Sequence, residues 1–293
     1  MYGDLPTEGI DPQGPDLDLL PPREVARLLL EEERRGLRAV EEALDSVGRA
    51  CEAAAWALRG GGRLFYAGAG TSGRLGVLDA SEMGPTFGTP PGRVVALLAG
   101  APRALTESVE GAEDDAASGR AAMEEQRPGT RDCVLGITMS GTASYVAGAL
   151  AAAREAGART LLLTANPRPP IAADLTIALD LGPEALAGST RLKGGSATKA
   201  VLNMISTAAM AGSGAVHGNL MVRVRPVNRK LRDRAERIVE RLGGVGRPAA
   251  AALLREAADE AEVAVVMARL GLDAVAARAR LAACGGRLRE ALA

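Results

Sequence analysis

Aromatic side chains make up only 2% of this 293-residue chain, and histidine occurs once, as His217. The first scarcity removes the stacking platforms on which single-stranded nucleic acid is held. The second makes any Ser-His-Asp mechanism depend on one residue, and a lone histidine is more often a satisfied buried side chain than a catalyst. The formal net charge is −1, so there is no broad basic field for a phosphodiester backbone and no nucleic-acid partner is expected. Cys51, Cys133 and Cys284 lie far apart with no C-x-x-C spacing, which argues against a disulfide framework and against a zinc site. That usage is compatible with a reducing cytosol, and a cytoplasmic location is expected. The chain begins Met1-Tyr2-Gly3-Asp4, acidic and without an apolar segment, so no secretory signal is expected. No apolar run reaches membrane-spanning length, and no membrane partner is expected.

What is present centres on residues 63–82, RLFYAGAGTSGRLGVLDASE. A short apolar run reads as a buried strand, a glycine-rich turn follows, and a helical pattern begins after it. That layout aims backbone N–H groups and a helix N-terminus at one spot, which favours an anion. Gly70 lies in the turn, and Thr71 and Ser72 add two hydroxyl donors. Gly68, Gly70 and Gly73 also satisfy G-x-G-x-x-G, but the next strand, 93–98, has no carboxylate at its end to hold a ribose, which weighs against a dinucleotide. The missing Gly-Lys-Ser/Thr ending weighs against NTP hydrolysis.

Five strand-like runs, 63–67, 93–98, 133–138, 160–164 and 175–179, alternate with helical stretches. The alternation predicts an α/β fold with a five-stranded parallel sheet covered by helices on both faces. A ligand then belongs beyond the carboxyl ends of the strands. Residues 1–22, with five prolines, read as an extended arm. Residues 23–58 read as helical, with the charged run Glu31, Glu32, Glu33, Arg34, Arg35 as a solvated face. A long helix rich in small residues is expected over 191–214, and a small helical bundle from Asn228 on, punctuated by glycines. The expected organisation is 1–60 arm and helical region, 61–227 α/β domain and 228–293 helical subdomain.

Two acidic clusters stand out, one ending in Glu82 and one containing Glu113. Both belong to successive strand–loop–helix units. Two carboxyls facing one crevice can be driven to different pKa values and serve as acid and base. Periodicity alone favours ordinary helix-surface acids, with 110–115 as a solvated N-terminal turn. Ser140, Thr142 and Ser144 surround Gly141 ahead of a helix, a second anion cradle or a plain helix cap. Residues 188–193, GSTRLK, form a third such place, with Ser189, Arg191 and Lys193.

The run GAGTSGRLGVLDASE, with PTFG at 85–88, VEGAEDD at 109–115, Pro183-Glu184, GSTRLK, VLNMIST at 201–207, GNLMV at 218–222 and Thr7-Glu8, closely resembles N-acetylmuramic acid 6-phosphate etherases over nearly the whole chain. The resemblance implies a sugar isomerase (SIS) fold, a three-layer sandwich with an appended helical bundle, and kinship with the sugar-phosphate-binding glucokinase regulatory protein. It implies cleavage of the D-lactyl ether of N-acetylmuramic acid 6-phosphate, by elimination across C2–C3 and water addition, with no metal or organic cofactor. Matched by position, Glu82 is the implied general acid and Glu113 the implied base. Gly70, Thr71, Ser72, Ser81, Ser140, Thr142, Ser144, Glu184, Ser189 and Lys193 are the implied substrate-binding residues. The chain departs from the family's usual residues at Thr142-Ala143, Thr198, Ala215 and Arg223. A homodimer is expected, its interface formed by the α/β domain with its arm and N-terminal helix, since the family is homodimeric and helix 191–214 is rich in small residues. A non-catalytic sugar-phosphate regulator, a divergent SIS lyase for another phosphorylated sugar, and a two-carboxyl glycosidase are the alternatives.

Overall fold

The computed structural model describes residues 5–293; Met1 to Asp4, the start of the expected arm and the acidic N-terminus, lie outside the described residues. Within the arm, 6–8 and 17–19 form single 3-10 turns, and Thr7 is buried. Pro22 opens α1 (Pro22–Glu42) at a position where its missing N–H costs nothing. The helical region expected as one stretch is two helices, because Ala43, at φ −89° and ψ 8°, ends α1 and begins α2 (Leu44–Arg59). Glu32 corrects the solvated-face expectation: it is 7% exposed, the one buried member of its charged run.

The described residues form two compact units, one comprising residues up to Ala80 with Val94–Ser206, the other Ser81–Arg93 with Thr207–Ala293. These units cut across the three segments marked out by composition. The first holds the sheet: β1 (Leu64–Gly68), β2 (Val94–Leu98), β3 (Cys133–Ile137), β4 (Arg159–Thr164) and β5 (Leu175–Ala178), all parallel, in the order β2-β1-β3-β4-β5. Each strand lies within one residue of its expected bounds. The central strands β1 and β3 are buried at every position, as a sheet covered on both faces requires.

Alternate residues of β1 serve different layers. Phe65 and Ala67 join Val134 and Leu162 in a core with α4 (Ala116–Glu125) and α5 (Ser144–Glu155). Tyr66 turns the other way, toward α3 (Gly70–Phe87), where Gly76 approaches its ring. Helices α4 and α5 come together on glycine: a Cβ at Gly119 would lie 2.0 Å from the Tyr145 carbonyl oxygen, and one at Gly148 2.0 Å from that of Ala116. At the amino end of the sheet Asp132 accepts from the Arg63 N–H at 2.7 Å and pairs with its guanidinium at 2.8 Å, tying β1 to β3. Two helices run from one unit into the other, α3 and α6 (Lys193–Gly212).

The second unit has its own core. It contains α7 (Arg229–Gly243), α8 (Arg247–Glu256), α9 (Ala261–Leu270), α10 (Ala274–Ala283) and α11 (Leu288–Ala291) around Ile238, Val239, Leu254, Val265 and Val266. The Asn228 and Asp273 side chains cap α7 and α10, and Gly244 and Gly271, both left-handed, end α7 and α9.

Candidate functional site

A parallel sheet ordered 2-1-3-4-5 reverses its winding between β1 and β3, and the carboxyl ends of those strands open the natural ligand crevice. The loops after these two strands are the two hydroxyl-bearing cradles. After β1 the turn is tighter than expected: α3 already begins at Gly70, left-handed at φ +51°, so Thr71 and Ser72 stand in its first turn. Their N–H groups belong to the set that no carbonyl of the helix can satisfy. Only glycine fits at Gly73, where a Cβ would meet the Gly68 carbonyl oxygen at 2.5 Å.

After β3, Gly141 sits at φ +73°, and a Cβ there would meet Asn166 at 2.8 Å and the Thr164 hydroxyl at 2.9 Å. The Ser140 hydroxyl accepts from the Thr142 hydroxyl at 2.9 Å and shares a hydrogen bond with Thr138 at 3.2 Å. Ser144 is the first residue of α5. Asn166, in the loop two residues past the end of β4, was not singled out as a site residue from sequence. Its side chain donates to the Ser140 carbonyl at 3.0 Å and accepts from the Arg168 N–H at 2.9 Å, so it braces the cradle. The signal available was an Asn shortly after a strand and ahead of Pro167.

The third place closes on the same edge. A Cβ at Gly195 would lie 3.6 Å from the Thr71 methyl, and one at Gly194 3.6 Å from Met139 at the end of β3. The N-terminus of α6 therefore approaches both cradles. Two expected substrate-binding residues have other occupations here. The Glu184 carboxylate accepts from the Gly194 N–H at 2.9 Å and the Lys193 N–H at 3.3 Å, capping α6. Burial pushes its pKa up, opposed by those N–H groups. Lys193 is 2% exposed, and its ammonium donates to Glu32 at 2.5 Å and to the Pro183 carbonyl. The Lys193 charge is thus engaged inside the fold, with Glu32 and the Pro183 carbonyl as its partners. Ser189 is half-buried and Arg191 exposed.

Glu113 lies in a single 3-10 turn, 112–114, entered through left-handed Gly111. It is exposed by surface area, yet its carboxyl is crowded enough that desolvation, with Asp114 beside it, raises its pKa. Its neighbour Asp115 has a local task, accepting from the Ser118 N–H at 2.8 Å as the cap of α4. Ser81 and Glu82 are exposed on α3, in the segment belonging to the second unit.

In the second unit, His217 is half-buried in a tight turn, its backbone exchanging hydrogen bonds with Leu220, and burial and Arg289 lower its pKa. Arg223 pairs with Glu262 at 2.9 Å and donates to the Gly286 carbonyl at 2.6 Å, so this departure is absorbed as a local clamp. Thr198 donates to the Gly194 carbonyl at 2.7 Å, and Ala215 is fully buried. Among the described residues no three His, Cys, Asp or Glu side chains are grouped to hold a metal ion, and no helix is long and apolar enough to cross a membrane.

Residues 46–154 match the glucokinase regulatory protein N-terminal SIS domain family. The N-acetylmuramic acid 6-phosphate etherase of Salmonella choleraesuis (strain SC-B67) is 50% identical over 292 residues, 99% of this chain and 98% of that protein. The enzyme of the same name from Salmonella typhimurium (strain LT2) matches to the same extent. Among solved structures, an Escherichia coli CFT073 protein solved as a ligand complex is 17% identical, with a TM-score of 0.49, covering 68% of this chain and 97% of that one. Phosphoheptose isomerase from Neisseria gonorrhoeae is 18% identical, with a TM-score of 0.42, covering 62% and 98%.

Proposed function

This chain belongs to the N-acetylmuramic acid 6-phosphate etherase family, and from that membership we propose how its own residues divide the reaction. The enzyme is a carbon–oxygen lyase. It converts N-acetylmuramic acid 6-phosphate to N-acetylglucosamine 6-phosphate and D-lactate. The observation that carries this reading is 50% identity sustained over 99% of the chain, with both carboxyls of the implied acid–base pair present.

In the ring-opened sugar the C1 aldehyde acidifies the C2 proton. Glu113 takes that proton, the C3–O bond of the lactyl ether breaks, and Glu82 protonates the departing lactate oxygen. Water then adds at C3 of the unsaturated aldehyde, so the sum is one water consumed and one D-lactate released. A raised pKa at Glu113 suits a base, because it strengthens the group's hold on the proton it abstracts. The phosphate is assigned to the N-terminal turn of α3, with Thr71 and Ser72, and to that of α5, with Ser144 and the preceding loop hydroxyls of Ser140 and Thr142, where unpaired N–H groups and the helix dipole favour an anion.

The enzyme works as a homodimer in this reading. Leu30 and Leu37, seven residues apart on α1, are each more than half exposed. Such a spacing suits helix packing against a second copy. Sedimentation equilibrium at micromolar concentration tests the assembly, and a stable, fully active monomer would refute it. Purified protein with N-acetylmuramic acid 6-phosphate, scored for D-lactate, tests the reaction. Sugar-phosphate binding without lactate release would instead identify a regulator.

A further inference from the structure

The chain has 35 lysines and arginines, yet only Lys193, Lys199 and Lys230 are lysines. In so arginine-rich a chain, a lysine marks a place where a compact ammonium suits better than a planar guanidinium. Two of the three lie on α6, and both hold buried carboxylates. Lys193 holds Glu32, as described above. Lys199 donates to Asp79 at 2.9 Å, and to the Asn203 side-chain oxygen on its own helix.

Asp79 is 2% exposed, and its other oxygen accepts from the Tyr66 hydroxyl at 2.9 Å. Tyr66 is itself buried within β1, and burial with Asp79 beside it pushes its pKa well above the usual tyrosine value, so it remains a donor. Strand β1, helix α3 and helix α6 are thus joined through one carboxylate. Asp79 lies roughly 13 Å along α3 from Gly70 by helix rise, beyond the first turn whose free N–H groups suit an anion.

The position of Asp79 along α3 gives these groups a task. Asp79 is the penultimate residue of α3 within the first unit; from Ser81 the helix belongs to the second. Pro85 lies inside the helix and has no N–H to offer the carbonyl four residues earlier, so the backbone ladder is weakened just past this point. We propose that the Tyr66–Asp79–Lys199 chain is a positioning device that fixes the rotation of α3 so that Glu82, three residues on, keeps its aim at the leaving oxygen. The inference rests on the reading of Glu82 as the acid. A rotation of the helix by ~20° swings a side-chain tip roughly 6 Å from the axis through about 2 Å. Displacement of a reacting group by about 1 Å is enough to cost on the order of 100-fold. Asp79, Lys199 and Tyr66 are positioning residues in this scheme and touch no substrate.

The test uses full-length Lys199→Met, Lys199→Arg, Asp79→Asn and Glu82→Gln. Each is assayed for D-lactate release and for the stoichiometry of N-acetylglucosamine 6-phosphate binding by calorimetry. Lys199→Met and Asp79→Asn are expected to lose ~10–100-fold in kcat, with KM within about threefold and full binding stoichiometry. Lys199→Arg, which restores the charge, is expected to recover part of the kcat. If Lys199→Met does not fold, the double variant Asp79→Asn/Lys199→Met, which leaves no unpaired buried charge, carries the same expectation. An unchanged kcat per competent site, or a kcat that falls only as binding stoichiometry falls, overturns the positioning role. Full activity in Glu82→Gln overturns the acid reading itself. Loss there beside an unaffected Lys199→Met overturns the positioning role alone.

Discussion

Replacing Lys193 by Met is expected to destabilise the first unit by about 3 kcal/mol, the lower end of the range for breaking a buried ion pair from one side. The side chains of Lys193 and Glu32 are 2% and 9% exposed. Methionine keeps most of the volume and removes the ammonium, so Glu32 stays buried with one partner fewer and the Pro183 carbonyl loses a donor. Arg35, which donates to the other Glu32 oxygen at 2.7 Å, remains, but its side chain is 58% exposed and compensates only in part. That residual partner is why the lower end applies. At 2–4 °C per kcal/mol for a domain of this size, the midpoint should fall by roughly 6–12 °C. Trp56 is the only tryptophan and lies on α2 in the first unit, with the Arg159 guanidinium 3.6 Å from its ring, so its fluorescence in urea reports this unit. The double variant Glu32→Leu/Lys193→Met removes both charges and should recover most of the loss, because a buried pair traded for apolar groups is often neutral or better. A single-variant cost below about 1 kcal/mol would refute the reasoning, as would a double variant whose loss is the sum of the two singles.

Glu82→Gln should lower D-lactate turnover by about 10²–10⁴-fold while sugar-phosphate binding persists, and a loss under tenfold would remove its acid role. Glu113→Gln should slow exchange of the sugar C2 proton with solvent deuterium, followed by NMR. Because the Glu113 pKa is raised and the base must be ionised, kcat/KM should decline as pH falls through a value above the ordinary 4.5. Asp114→Asn removes one cause of that shift and should move this acid limb down, and a fixed limb would assign it to another group. Gly119→Ala forces a Cβ against the Tyr145 backbone carbonyl, so α4 and α5 must part. A loss of about 1–3 kcal/mol or more in urea unfolding is expected, and a neutral result would show that the helices slide freely.

The sheet was legible in the sequence because each strand is a short, nearly continuous apolar run bounded by glycine or charge, a local pattern that needs no knowledge of partners. The cradles at Thr71-Ser72 and Ser140–Ser144 were legible for the same reason: a glycine with hydroxyls between strand and helix sets its own backbone geometry. The resemblance to the etherases likewise rested on contiguous motifs. Local pattern had no access to pairings distant in sequence. Glu32 and Lys193 are 161 positions apart, and Asp79 and Lys199 are 120 apart. On its own helix Glu32 is one more charge in a charged run, and Lys193 one more cation beside a Ser/Thr cluster. Folding buries them together, and burial turns two surface-like residues into an ion pair that cannot be broken from one side without cost. The same holds for Asp79, whose neighbours in sequence say nothing of Tyr66 or Lys199. Strands, glycine–hydroxyl turns and family are thus written in contiguous residues. The packing of α1, α3 and α6 settles which charges face solvent and which are held inside, because desolvation depends on what folds over a side chain and not on its neighbours along the chain.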